Sequence, residues 1–219
     1  MNHLLSYGVK RLLGKALLAF VCLTSPLRAD EVTILALGDS LTQGYGLVEQ
    51  DGLVPQLQAW LDGQGADVRL INGGVSGDTT AGGAARVGWS LSPEVDAMIV
   101  TLGGNDVLRA IDPSVSRANL AAILDTAEAT KTEVLLVGLR APGNYGPVYK
   151  ADFDAIYPDL AAEYGTLLHP DFFSGLGEGT PDALQPYFQP DRIHPNAEGV
   201  ARIVEGLGPA VLELIEAAQ

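Results

Sequence analysis

Five short apolar runs constrain this chain more than any other feature: EVTILAL (31–37), DVRLIN (67–72), AMIVTLG (97–103), EVLLVGL (133–139) and TLLH (166–169). Each is too short for an ordinary helix, is rich in Val, Ile and Leu, and ends at a turn-forming residue. Near-continuous apolar runs belong to strands buried on both faces, as in parallel sheets. Between them lie segments with apolar residues at helical spacing: 52–65, 114–130, 149–165 and 195–218. Ser114 and Ser116 are candidate caps for the second, Pro158 predicts a distortion in the third, and Gly208 with Pro209 predicts a bend in the fourth. The stretch 172–192 has no clear periodicity and reads as a long loop, a common place for function in a compact domain. Strand–helix alternation implies right-handed crossovers and one doubly wound α/β domain.

Residues 1–29 precede this pattern. Lys10, Arg11 and Lys15 stand before ALLAFVCLTSPLRA, and no acidic residue occurs before Asp30. A basic part, an apolar part and a small residue at Ala29 predict a secretory signal peptide cut near Ala29, and hence a periplasmic or secreted mature chain. The apolar part, Ala16 to Leu23, falls short of the roughly 20 residues that a bilayer span takes, which disfavours an uncleaved anchor. Bulky Phe20 and Val21 before Cys22 disfavour a lipoprotein. Four of the 13 basic residues lie in this segment and all 27 acidic residues lie beyond it, which leaves residues 30–219 a charge of −18 with histidine neutral. Such a surface repels nucleic acid and anionic lipid. The only cysteine, Cys22, leaves with the signal, so the mature chain has no disulfide and no thiolate metal site.

Ligands of doubly wound sheets sit beyond the carboxyl ends of the strands. The segments just after the first four runs are GDS, GGVSGDTT, GGND and RAPGNYG. Ser40, in the first, is the candidate nucleophile. A G-x-S-x-G elbow would need glycine at Thr42, which argues against an α/β-hydrolase and leaves a turn serine as the competing reading. Two histidines remain beyond the signal, His169 and His194. Asp191 stands three residues before His194, a spacing that lets a carboxylate hold the imidazole tautomer and stabilise the imidazolium. Pro195 is suited to open the last helix. His169 has Thr166 at the equivalent position and reads as a strand-end structural residue. Ser40 with its backbone N–H, Gly77 with a bare backbone N–H, and Asn105 with a side-chain amide are three candidate donors to an oxyanion. Taken alone, Gly77 is a turn glycine and Asn105 a helix cap. Together, at successive strand ends, they suggest acyl transfer.

The blocks GDSLTQG (38–44), NGGVSGDTT (72–80), GGND (103–106) and DRIHPN (191–196) resemble those of the SGNH or GDSL hydrolases. RAPGNYGPVYKADFDAIYPDLA (140–161) is similar to the periplasmic thioesterase/lysophospholipase and arylesterase branch. The resemblance implies a flavodoxin-like, three-layer α/β/α sandwich around a parallel five-stranded sheet. It also implies serine esterase chemistry with no metal or other cofactor: Ser40, His194 and Asp191 as the catalytic residues, and Ser40, Gly77 and Asn105 as the oxyanion hole. Arg192 departs from the pattern, since relatives commonly have glycine between acid and base. Its guanidinium either pairs with Asp191, weakening the hold on His194, or points to solvent. Val107, Leu108, Ile111, Tyr145 and Phe188 are candidate substrate-binding residues, with core packing as the alternative. The expected partner is a small acyl ester or thioester, with no nucleic acid and no stable membrane insertion of the mature chain. A carbohydrate acetylesterase and a non-catalytic secreted binding protein are the competing functions.

Overall fold

Each apolar run is a strand in the computed structural model, which describes residues 31–219. The expected signal peptide and its cleavage point lie outside the described residues. The chain runs β1 (Val32–Gly38), α1 (Ser40–Gln43), α2 (Leu53–Gln64), β2 (Val68–Gly74), α3 (Thr80–Ser90), β3 (Ala97–Thr101), α4 (Gly104–Leu108), α5 (Pro113–Thr130), β4 (Glu133–Val137), α6 (Pro147–Tyr164), β5 (Leu167–His169), α7 (Pro181–Leu184) and α8 (Ala197–Ala217). All five strands are parallel, in the order β2-β1-β3-β4-β5. Helices α2 and α8 pack together on one face, and α3, α5 and α6 on the other. Central strands covered on both sides must be apolar throughout, and Ile34, Leu37, Met98, Val100, Leu135 and Leu136 are fully buried. Burying each such side chain stabilises the fold by about 2 kcal/mol relative to exposure.

The sheet order turns back between β1 and β3, and this is where a doubly wound sheet opens a crevice. The register brings the strand ends level there: Gly38 stands opposite Gly74 of β2 and Thr101 of β3. The loops that leave β1, β2 and β3 therefore start from one edge.

Several elements differ from expectation. The cap of α5 is Asp112, whose carboxylate accepts from the Ser114 N–H, with Pro113 as the first helical residue. Ser116 is instead buried and donates to Asp106. Helix α8 starts at Ala197 with Asn196 as its cap, so Pro195 precedes the helix and does not open it, and Pro209 lies inside the element. Gly208 makes room for a ring, because a β-carbon there would stand 2.5 Å from Trp60. Helix α3 was not expected, and 172–192 contains three short helical turns.

Candidate active site

Ser40 is the first residue of α1, immediately beyond β1. As a first-turn residue it has a backbone N–H with no acceptor inside the helix. Asp39 caps α1: its Oδ1 accepts from the Leu41 N–H at 3.0 Å, and its Oδ2 accepts from the Asn105 amide at 3.2 Å. Burial drives the Asp39 carboxyl up to about 6, against the lowering effect of those hydrogen bonds and of nearby His194.

Asp191 and His194 are carried by a tight reversal before α8. Gln189 N–H donates to His194 O at 2.8 Å, and Asn196 N–H donates to Tyr187 O at 2.9 Å. The tip is closed by Arg192 N–H to Gln189 O at 2.9 Å. Asp191 Oδ1 accepts from the Ile193 and His194 N–H groups, each at 3.0 Å, which frees Oδ2 for the imidazole. His194 Nδ1 lies 2.7 Å from that oxygen, and Nε2 lies 2.8 Å from Ser40 Oγ. Burial raises the Asp191 carboxyl, but the hydrogen bonds from the His194 ring and the two N–H groups prevail and hold it at about 2. An ionised carboxylate only accepts, so Nδ1 carries the proton and neutral Nε2 accepts from the serine hydroxyl. The Tyr45 ring packs against the imidazole, with centroids 4.6 Å apart.

Gly77 sits in the turn after β2. Asp78 N–H donates to Val75 O at 3.0 Å, and Gly77, the third residue of the turn, takes φ 85, which a side chain disfavours. Two arginines hold this turn. Arg86, buried on α3, bonds Asp78 through Nε at 2.7 Å and the Gly38 carbonyl through Nη2 at 2.8 Å. Arg109 Nη2 donates to Gly77 O at 2.8 Å. Asn105 stands in α4, which begins after Gly103 at φ 122, where a β-carbon would meet the Tyr157 hydroxyl at 2.2 Å.

These residues meet at one cavity of about 480 Å³. Ser40, Gly77, Asn105 and His194 line it, as do Val107, Leu108 and Phe188. Ile111 and Tyr145 do not. The chain reverses at Ala110 (φ 50), and Tyr149 engages both residues: its hydroxyl donates to Ile111 O at 2.9 Å and its ring packs against Tyr145. Leu139, Arg140, Pro142, Phe173 and Ile193 also line the cavity. Arg192 is exposed, and among the described residues its guanidinium forms no ion pair with Asp191. His169 is elsewhere, buried at the end of β5, with Nε2 3.1 Å from Ser174 Oγ and its pKa lowered by burial. No cluster of three or more side chains suited to a metal occurs among the described residues.

The model of the GDSL-like lipase/acylhydrolase family matches residues 36–202. The chain is 38% identical over 208 residues to esterase TesA of Pseudomonas aeruginosa, spanning 94% of this chain and 100% of that protein. It is 34% identical over 185 residues to thioesterase 1/protease 1/lysophospholipase L1 of Escherichia coli, spanning 84% and 85%. The crystal structure of TesA superposes with a TM-score of 0.76 at 38% identity, covering 83% of this chain and 99% of that one. The chain belongs to the GDSL-like lipase/acylhydrolase family.

Proposed function

We propose that this protein is a serine esterase that hydrolyses carboxylic esters or thioesters through an acyl-enzyme. Ser40 Oγ attacks the acyl carbonyl while His194 Nε2 takes its proton, and Asp191 keeps Nδ1 protonated and stabilises the imidazolium. The Ser40 and Gly77 N–H groups and the Asn105 amide hold the oxyanion. Asn105 has two amide hydrogens; one is engaged by Asp39, and the other serves the oxyanion. His194 then protonates the leaving oxygen or sulfur and activates the water that releases the acid.

The carrying observation is the continuous Ser40–His194–Asp191 hydrogen-bond chain, at 2.8 and 2.7 Å, opening into the cavity. Val107, Leu108, Leu139 and Phe188 give the cavity an apolar lining, which favours an acyl chain over a carbohydrate. Among the described residues no helix is long and apolar enough to cross a membrane. With the expected signal peptide, the site of action is the periplasm or the exterior.

Ser40→Ala should abolish turnover of p-nitrophenyl hexanoate and labelling by a serine-directed organophosphate. Normal turnover in that variant would end the proposal. Asn105→Ala should lower kcat about 10²-fold, as for other oxyanion donors. His169→Ala should leave kcat near normal, whereas His194→Ala should not. Rates measured from acetyl to octanoyl test the role of the apolar lining; a steep preference for acetyl would exclude it.

A further inference from the structure

Only nine basic residues remain in 30–219 against 27 acidic ones, and they are not spread evenly. Arg140 and Arg192 line the cavity, and Arg109 bonds the carbonyl of Gly77, another lining residue. A protein of this charge repels anions at long range, and Arg140 and Arg192 at a cavity whose one acidic lining residue is Asp39 offset that repulsion locally. Arg140 is partly neutralised by Asp171, Nε to Oδ2 at 3.1 Å. Arg192 differs: among the described residues its guanidinium makes no hydrogen bond or ion pair, and only its backbone N–H is engaged.

The backbone of Arg192 sharpens the point. At φ 59 it is in the left-handed region, which a β-carbon disfavours and which glycine or asparagine adopts more readily. The turn needs the conformation, but nothing in the turn needs a guanidinium. A strained residue at a cavity is grounds for a functional hypothesis. Its position in the sequence says which part of a substrate it meets. Arg192 is two residues from His194, the group that protonates the departing oxygen or sulfur. The leaving group, not the acyl chain, is therefore the part that passes it.

Resting on the serine esterase reading, we infer that Arg192, assisted by Arg140, is a specificity-determining subsite for esters and thioesters whose leaving group carries a phosphate or carboxylate anion. An acyl chain meets the apolar lining residues Val107, Leu108 and Phe188, and the anion lies at the guanidinium, which offers a planar fork of donors to either group.

The test uses two hexanoyl esters that differ by one charge, those of 4-hydroxybenzoate and of its methyl ester. The ratio of kcat/KM, anionic over neutral, is compared between wild type, Arg192→Asn and Arg192→Lys, so that intrinsic reactivity cancels. Asn tolerates the left-handed backbone without charge, and Lys keeps the charge. The ratio should fall about fivefold in Arg192→Asn, the effect of an exposed ion pair. It should fall less in Arg192→Lys, which keeps the charge but loses the planar fork. In wild type it should decline as sodium chloride is raised to about 0.5 M. Should Arg192→Asn fold poorly, the wild-type salt dependence still decides the matter. An unchanged ratio in Arg192→Asn, or a wild-type ratio indifferent to salt, overturns the subsite. Two further pairs tell phosphate sources apart: hexanoyl coenzyme A against hexanoyl N-acetylcysteamine, and 1-hexanoylglycerol 3-phosphate against 1-hexanoylglycerol. A ratio lowered by Arg192→Asn in either pair supports the subsite and names its phosphate source; one lowered in neither overturns its phosphate form, and one lowered in none of the three pairs overturns the subsite. Turnover of none of these by wild type would overturn the esterase reading itself, whereas turnover with unaltered ratios overturns only the subsite.

Discussion

Asp39 is 1% exposed and holds two donors at once, the Leu41 N–H and the Asn105 amide. It touches no reacting atom in the proposed mechanism, yet it orients one of the groups that does. Asp39→Asn replaces an acceptor oxygen with an amide, so either Leu41 or Asn105 meets a donor. The expected result is a kcat lowered about tenfold or more with KM nearly unchanged, because a misplaced oxyanion donor affects the transition state and not substrate binding. Steady-state kinetics check this. The same carboxyl shapes the pH dependence of stability. Its folded pKa, about 6, lies above the ordinary 3.8 because burial penalises the charge. The native state therefore binds the proton more tightly than the unfolded chain does. The contribution is complete below about pH 4 and is lost as pH rises through 6, and over this range it amounts to about 3 kcal/mol. Asp39→Asn lacks the ionisation, so its urea-unfolding free energy should gain on wild type by roughly that amount between pH 4 and 7. A constant difference would show that Asp39 does not titrate in this way.

Helix α4 is five residues long, too short to be stable alone, and it is held by its side chains. Buried Asp106 accepts from the Thr80 N–H at 2.9 Å, the Thr80 hydroxyl at 2.5 Å and the Ser116 hydroxyl at 2.9 Å, which ties α4 to α3 and α5. Asp106→Ala strands three buried donors and should lower the unfolding free energy by about 4 kcal/mol. It should also lower kcat, since Asn105 is its chain neighbour; calorimetry and kinetics on one preparation test both. The apolar strands were legible in the sequence because burial on both faces leaves no room for polar residues. Helix α3 was not, because TAGGAARVGWS carries three glycines and little apolar periodicity. It is stabilised instead by the Thr79 cap and by close packing, with a β-carbon at Gly83 standing 2.2 Å from Leu102. The α7 turn did carry a readable signal, Thr180 followed by Pro181, within an otherwise aperiodic stretch.

At the scale of the molecule, net charge and topology act together. A chain that carries −18 beyond residue 29 repels itself. Raising ionic strength from about 0.02 to 0.5 M should therefore raise Tm by about 3 °C or more, as screening lengths shrink to a few ångströms. A flat response would mean that the acidic surface is already neutralised by its geometry. Ser40, Gly77 and Asn105 were legible because small polar residues interrupt the pattern where strands end, and Asp191 and His194 because a carboxylate stands three residues before a histidine. The cavity walls were less so. Leu139 looks like core in the sequence, and Ile111 and Tyr145 look like lining until Tyr149 is seen to engage them. The Ser40–His194 contact joins residues 154 positions apart, one just beyond the first strand and one just before the last helix. Such a contact forms only when the two ends of the domain have docked. Hydrolytic competence is thus a clock for the final closure of the chain. In refolding from urea, the fraction of molecules that an organophosphate can trap should rise later than helical ellipticity, and the interval between the two is the time α8 takes to reach the sheet.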